Sequence, residues 1–593
     1  MPRLTRAATA LTSLSLPLRA GAGAVTRLIA PLLLGLALAS CATVEQPPRP
    51  GAAAFDWFHY EGSDPSDAAY RPGPGEYRNP ILKGFYPDPS IARVGEDYYL
   101  VTSTFSWFPG IPVFHSRDLV SWTQIGNAID RPDQLDFARL GMSRGVFAPA
   151  IEHHAGTFYI LNTCVDCGGN FLITADNPAG PWSDPVWLPE IVGGIDPSLF
   201  FDTDGRAWIL NNGPPEGPPL YEGHRAIWIQ EFDWRSKRMI GPRTMLVNGG
   251  VDLSTRPIWI EGPHIVRKDG FYYLIAAEGG TAEGHSQVVL RSRSVAGPYK
   301  PNPANPILTQ RDLARDRPHP ITSAGHADFV QTPKGEWWAT FLAVRPYAGD
   351  FYNTGRETFL MPVDWSGEWP RITPPGQSIP YSHRRPDLPR EAAPKVPTSG
   401  AFAVRDEFDG PSLPPHWMTM RNPRSRWWSL ERGRLVLEAR GVGLSDMGNP
   451  SLWGRRQQHL DASASTRIRF APARDGDEAG LAAIQNDEFW YFLAVTRENG
   501  RAMVELERRA GPKDSPSGVR IASAPLGVPP GAPVRLRIDA RGGAYDFFYA
   551  VGEGAWRPLH AGADGTILST RTAGGFVGTM LGVHAYSQSA QPE

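Results

Sequence analysis

Only three cysteines occur in the 593 residues, so no framework of disulfides holds this chain together. An excess of one charge is missing as well: Lys+Arg 59 stands against Asp+Glu 61, a formal net charge of −2. A nucleic-acid binder needs a concentrated basic surface, and this balance supplies none. Long apolar runs are scarce. The run at residues 28–39, LIAPLLLGLALA, is too short to span a bilayer. No long helical apolar period stands out, while Gly 62 and Pro 59 together exceed average usage. Short strands joined by tight turns are therefore expected, in two or more domains.

Arg3, Arg6, Arg19 and Arg27 precede the apolar run, which ends in Leu38-Ala39-Ser40-Cys41. This order resembles a bacterial lipoprotein signal, with the ordinary secretory signal cut near ALASCA as the alternative. The resemblance implies a signal peptide over 1–40, lipidation at Cys41, export, and anchoring to a membrane through lipid alone. Ala42 after the cysteine agrees with the outer membrane. The polar, Pro-rich VEQPPRPGAAA that follows reads as a flexible tether, assigned to 41–78. The other two cysteines form CVDC at 164–167. Zinc would require four ligands, and no second pair is present. Buried thiols or one small disulfide remain as the readings of Cys164 and Cys167.

Five segments share one design: DPSIARVGEDYYLV from Asp88, APAIEHHAGTFYIL from Ala148, DPSLFFDTDGRAWIL from Asp196, EGPHIVRKDGFYYLIA from Glu261 and HADFVQTPKGEWWATF from His326. Their leading residues lie 60, 48, 65 and 65 positions apart, and a glycine follows each by seven to nine positions. Each unit reads as an inner strand, a hairpin turn and an aromatic second strand. Radial repetition of such sheets makes a β-propeller, here of five blades over 79–372. In a propeller the inner strands start beside one axis, so Asp88, Ala148, Asp196, Glu261 and His326 are expected to converge. Three carboxylates at one axis repel one another, which a purely structural repeat has no reason to tolerate. Glycoside hydrolysis requires two carboxyl groups flanking the scissile bond, and a third can keep the acid protonated. As bland readings, both Asp-Pro-Ser aspartates could serve as turn formers, and His326 as a satisfied core histidine.

The motifs NPILKGFYPDPS, GGIDPSLF, WIEGPHI, TSAGHADFV and NTGRETFL resemble glycoside hydrolase family 43, five-bladed propellers acting on xylan and arabinan side chains. The resemblance implies Asp88 as general base, Glu261 as general acid, and Asp196 as the residue that orients the acid and tunes its pKa. It implies Arg356 and His326 at substrate hydroxyls, with His326 also beside a water-coordinated Ca2+. The implied reaction is single-displacement inversion, with carboxyl groups roughly 6.5–9.5 Å apart. Phe105, Trp107, Phe108 and Phe147 are candidates for shaping the sugar subsite, and Glu283 and His285 for facing substrate. Trp337 and Trp338 are expected between blades.

Prolines crowd residues 373–401, read as a linker. From 402 to 593, alternating segments such as GRLVLEA, ASTRIRFAP and FWYFLAVTR argue for a β-sandwich. DEFDG at 406–410 and GFVGTMLGVHA at 575–585 resemble the concanavalin A-like domain of family β-xylosidases. That domain implies a shortened cleft and attack at chain ends; an independent carbohydrate-binding module is the alternative. The fold class expected is all-β, a five-bladed propeller followed by a jelly-roll sandwich. The function expected is release of xylose from β-1,4-xylo-oligosaccharides or arabinoxylan fragments. An α-L-arabinofuranosidase is the alternative, and a non-catalytic sugar-binding propeller is the reading from another class.

Overall fold

The computed structural model describes residue 49 and residues 51–588. The signal at 1–40 and Cys41 lie outside the described residues. Among those described, no helix is long and apolar enough to cross a membrane.

Strand order follows from the repeats. Ser90–Val94, Asp97–Val101, Gly110–Ser116 and Thr123–Ile129 form the first antiparallel blade. Ala150–His154, Thr157–Val165, Gly169–Ala175 and Val186–Trp187 form the second, with Gly145–Val146 added beside its second strand. The third runs Ile195–Phe201, Ala207–Gly213, Ala226–Asp233 and Arg238–Asn248, and the fourth starts with Glu261–Lys268, Phe271–Glu278 and Ser286–Ser292. The fifth blade has Thr322–Gln331, Trp337–Val344 and Glu357–Pro362. Its outer edge is taken by residues from before the first blade. Ile81 and Leu82 donate backbone N–H groups to Thr358, and the Asn79 side chain exchanges two hydrogen bonds with the Leu360 backbone. The ring is thereby closed with no exposed edge at the seam.

Hydrophobic clusters fill the spaces between neighbouring blades. Val113, Ile151, Phe158 and Ile173 pack between the first and second, and Leu161, Leu172, Ile209 and Phe232 between the second and third. Trp337 and Trp338 lie between blades as the sequence suggested. Trp337 packs against the cluster of the fourth and fifth, and Trp338 belongs to the cluster of the fifth and first. Cys164 and Cys167 are joined in a disulfide, the second of their two readings.

The sandwich stacks a six-stranded sheet on an eight-stranded one over a core that includes Phe55, Trp417, Trp427, Leu481 and Tyr545. One strand corrects the tether assigned to 41–78. Ala52–Ser63 is a twelve-residue strand inside the eight-stranded sheet, paired along its length with Asp461–Phe470 and on its other side with Leu435–Glu438 and Phe402–Asp406. Its Phe55, Phe58 and Tyr60 are buried in the sandwich core, which is what overrides the tether-like composition before them. The Pro-rich stretch at 373–401 is packed as a strap, with Tyr381 buried and Ser382–Arg384 paired to Glu76–Arg78.

Just after the N-terminal strand, Asp64 enters a buried ion cluster. Lys83 and Arg345 both donate to its Oδ2, Leu460 N–H donates to Oδ1, and Arg345 also clasps Glu357. The cluster joins the two domains: Asp64 binds both cations, while Lys83 also pairs with Asp67 and Arg345 with Glu357. Burial alone would raise this carboxyl, yet Arg345 and Lys83 hold it well below the ordinary carboxylate range. Removing Asp64 takes one acceptor from each cation, which keep Asp67 and Glu357, and leaves the Leu460 N–H without its partner. Asp64→Ala is therefore expected to lower stability by about 1–3 kcal/mol in urea denaturation, against a change within about 0.5 kcal/mol for an exposed control such as Asp312→Ala.

Candidate active site

The inner strands begin with a local irregularity that aims side chains at the axis. Asp88, Asp196 and His326 have φ of 54, 52 and 54°, the left-handed region, and register shifts follow at Ile195/Ser198, Glu261/His264 and Gly325/Asp328. A non-glycine residue held there costs about 1–3 kcal/mol, a strain found where function over-determines the backbone. In the fourth blade the left-handed residue is Gly262, φ 55°, not Glu261. The expected equivalence of Glu261 with the other leading residues is therefore off by one: Asp88, Asp196, Gly262 and His326 share the left-handed backbone, which Ala148 does not. A Cβ at Gly262 would lie 2.8 Å from His326 Nε2, so glycine keeps the axis open, and Glu261 reaches the site from one residue earlier.

Asp88, Asp196, Glu261, His326 and Arg356 line one cavity of about 530 Å³. Arg356 Nη1 donates to Asp88 Oδ1 at 2.8 Å, the Ser103 hydroxyl donates to Oδ2 at 2.5 Å, and His326 Nδ1 stands 3.9 Å from Oδ1. Burial pushes the Asp88 carboxyl up, but Arg356, His326 and Ser103 outweigh it and hold the group below its ordinary value. Asp196 accepts only the Gly262 N–H, at 3.2 Å; burial and the neighbouring Asp88 charge push it up to about 7. Burial, then Asp196 and Asp88, push Glu261 well above the ordinary carboxylate range. One carboxyl is thus kept ionised and another kept protonated within a single cavity, the pairing an acid–base reaction requires.

Phe105, Phe147 and Phe576 form an aromatic wall, with centroids 5.2 Å apart for Phe105–Phe147 and 5.6 Å for Phe105–Phe576. Phe576 comes from the sandwich and had no individual signal in the sequence, although its GFVGTM context marked the domain. Its approach depends on Gly355 and Gly578: a Cβ on Gly578 would meet the Thr354 backbone at 2.9 Å. Trp107 and Phe108 are not in the sugar subsite. Both are buried outside the cavity lining, and they pair as a short strand with Met420 and Thr419, so they fasten the sandwich to the propeller. Glu283 faces a separate groove, where Arg315 holds it. His285 is buried against the Ser323 carbonyl and does not line the cavity. Sequence reasoning missed Arg225, Trp259, Thr281 and Arg144, all of which line the cavity.

The donors around His326 decide what metal it could hold. Burial keeps its imidazole neutral, with the pKa down to about 4, and so able to offer a nitrogen lone pair. The adjacent Asp88 carboxylate is already engaged by Arg356 and Ser103. This set fits an ion that keeps its own water shell, not one caged by protein. Among the described residues, three ligand-type side chains converge closely at Glu478, Glu505 and Glu507 in the sandwich, far along the chain from His326.

Because folded Asp196 binds its proton more tightly than the unfolded chain, stability falls as pH rises from the ordinary carboxylate pKa through about 7. Asp196→Asn is accordingly expected to be more stable than the parent protein at pH 8 and no more stable at pH 4, by urea denaturation at each pH. Its activity should fall about 10²-fold or more. An equal stability difference at the two pH values would contradict this assignment.

Residues 77–370 match the glycosyl hydrolases family 43, and residues 405–593 match the beta xylosidase C-terminal concanavalin A-like domain. A xylosidase/arabinosidase of Butyrivibrio fibrisolvens is 37% identical over 515 residues, covering 86% of this chain and 95% of the relative. A non-reducing end α-L-arabinofuranosidase of Bacteroides ovatus is 36% identical over 521 residues, covering 86% and 91%. The crystal structure of a GH43_12 protein retrieved from capybara gut metagenome superimposes with a TM-score of 0.83 at 38% identity, covering 91% of this chain and 100% of that one. With the repeats, the axial carboxylates and the appended sandwich all in agreement, the chain belongs to glycosyl hydrolase family 43 and is a glycoside hydrolase.

Proposed function

We propose that this protein is an inverting, exo-acting hydrolase that releases xylose from β-1,4-xylo-oligosaccharides or arabinoxylan fragments. The observation that carries the reading is the opposed environment of the carboxyls: Asp88 clasped by Arg356, Glu261 buried among like charges. Asp88, ionised, accepts a proton from water as that water attacks the anomeric carbon. Glu261, protonated, gives its proton to the glycosidic oxygen as the bond to the leaving sugar breaks. Burial keeps Glu261 protonated and the ionised Asp88 adds to it, while Asp196, itself pushed up to about 7, adds repulsion where it is ionised. Closure of one side of the cavity by Phe576 favours a chain end over the middle of a polymer. A second reading, release of α-L-arabinofuranose, is favoured by the two relatives above, a xylosidase/arabinosidase and a non-reducing end α-L-arabinofuranosidase. Both readings use the same carboxyl pair.

His326 would hold a hydrated Ca2+, which when bound supplies fixed positive charge beside Asp88. Chelation should then lower activity and added Ca2+ restore it; indifference to chelators rejects the ion. Export and lipid anchoring at Cys41 complete the proposal, and Cys41→Ala is expected to release the protein in soluble form.

Glu261→Ala tests the central assignment. Cleavage of xylobiose should fall about 10²- to 10⁴-fold, while substrates with a nitrophenolate leaving group, which needs little protonation, lose far less. Parent activity on xylobiose should decline on the alkaline side, as Glu261 loses its proton above its raised pKa, and this limb should vanish in the variant. Equal losses on both substrates would remove the acid role.

A further inference from the structure

Two parts of the cavity lining, the phenylalanine wall and Trp259, differ in exposure. Phe105 is buried, whereas Trp259 is 38% exposed and still lines the cavity. Trp259 lies two residues before Glu261 on the chain segment that delivers the acid. Its left-handed backbone, φ 49°, and its N–H bond to the Gly223 carbonyl fix the indole at the mouth. Arg225 stacks on it, with the guanidinium carbon 4.8 Å from the ring centroid. Nη2 and Nε of Arg225 donate to the Gly193 carbonyl and Asn212 Oδ1, which clamps the guanidinium in place. Arg225 also acts electrostatically on both Glu261 and Asp196, so it lies close to the acid.

A general acid must stand beside the oxygen that joins the two sugars, so groups next to the acid and outward from it lie on the leaving-group side. We infer that Trp259 and Arg225 form the binding site for the leaving sugar, the indole covering the apolar face of a pyranose and the guanidinium donating to its hydroxyls. The inference deepens the proposed function and rests on it only for the identity of Glu261. An aromatic face fits the axial C–H groups of a xylopyranose, and a fixed guanidinium fits its ring hydroxyls. In the xylosidase reading, and in removal of arabinose from arabinoxylan, the leaving group includes a xylopyranose: the next unit of a xylo-oligosaccharide, or the backbone sugar that carries an arabinose; in debranching of arabinan it does not. The pair therefore selects for what is left behind, and the aromatic wall and Arg356 for what is released.

The test compares leaving groups that can and cannot reach Trp259. Xylobiose and β-xylosyl fluoride share the released sugar, but fluoride makes no contact with the rim. Trp259→Ala is expected to lower the ratio of kcat/KM for xylobiose to that for the fluoride at least tenfold, and Trp259→Phe to restore most of it. An arabinosylated xylo-oligosaccharide and α-L-arabinofuranosyl fluoride give the same ratio for the second reading. A ratio unchanged by Trp259→Ala in the pair that the parent enzyme cleaves would overturn the inference while leaving the function intact. Turnover of neither pair by the parent enzyme would overturn both.

Discussion

The ion pair between Arg356 and Asp88 is the constraint on which the site depends. A guanidinium buried at a propeller axis must be matched by a carboxylate, and a carboxylate so matched stays ionised. Once Asp88 holds its charge, Asp196 and Glu261 experience it as repulsion on top of burial, and both are driven toward the protonated form. One pairing thus separates three chemically similar groups into different protonation states. Arg356 also donates to the Thr281 hydroxyl and faces the rings of Phe105 and Phe576, at 5.7 and 5.4 Å. The same side chain therefore connects the charge arrangement to the aromatic wall and, through Phe576, to the second domain.

That second domain is part of the active site by construction. The strand Ala52–Ser63 enters the sandwich before the chain has begun the propeller, and the buried cluster of Asp64, Lys83, Arg345 and Glu357 locks the crossing point. Trp107 and Phe108 add a two-residue strand pairing to Met420 and Thr419. With the docking fixed at these places, Gly355 and Gly578 can approach backbone to backbone, and Phe576 reaches the cavity.

The sequence spoke clearly wherever a feature repeats or carries its own chemistry. Asp88 and Asp196 share Asp-Pro-Ser in a recurring unit, and the convergence of the blades followed from that recurrence. The off-by-one position of Glu261 has a mark in the sequence, since Gly262-Pro263 matches Asp88-Pro89, Ala148-Pro149 and Asp196-Pro197, but aligning the units on their carboxylates hides it. Ala52–Ser63 was misread because its partners lie some 400 residues away, and its small leading residues resemble a tether. Arg225 belongs to no motif, and Trp259 opens WIEGPHI, in which only Glu261 carried a recognisable chemistry. Their role follows from loops of two blades meeting at the mouth, which local pattern does not encode. Trp107 and Phe108 illustrate the reverse error: aromatic residues beside a catalytic motif were taken for sugar contacts, when their faces are consumed by the interdomain seam.

The division of labour proposed for Asp88 and Glu261 has a stereochemical consequence that one measurement reads directly. Proton NMR of xylobiose hydrolysis, followed from the first seconds before mutarotation, reports the anomer released from the non-reducing end. Attack by water held at Asp88, with Glu261 protonating from the opposite side, gives α-xylose first. Appearance of β-xylose first would mean a covalent intermediate and retention, and would contradict the assignment of Asp88 as a base.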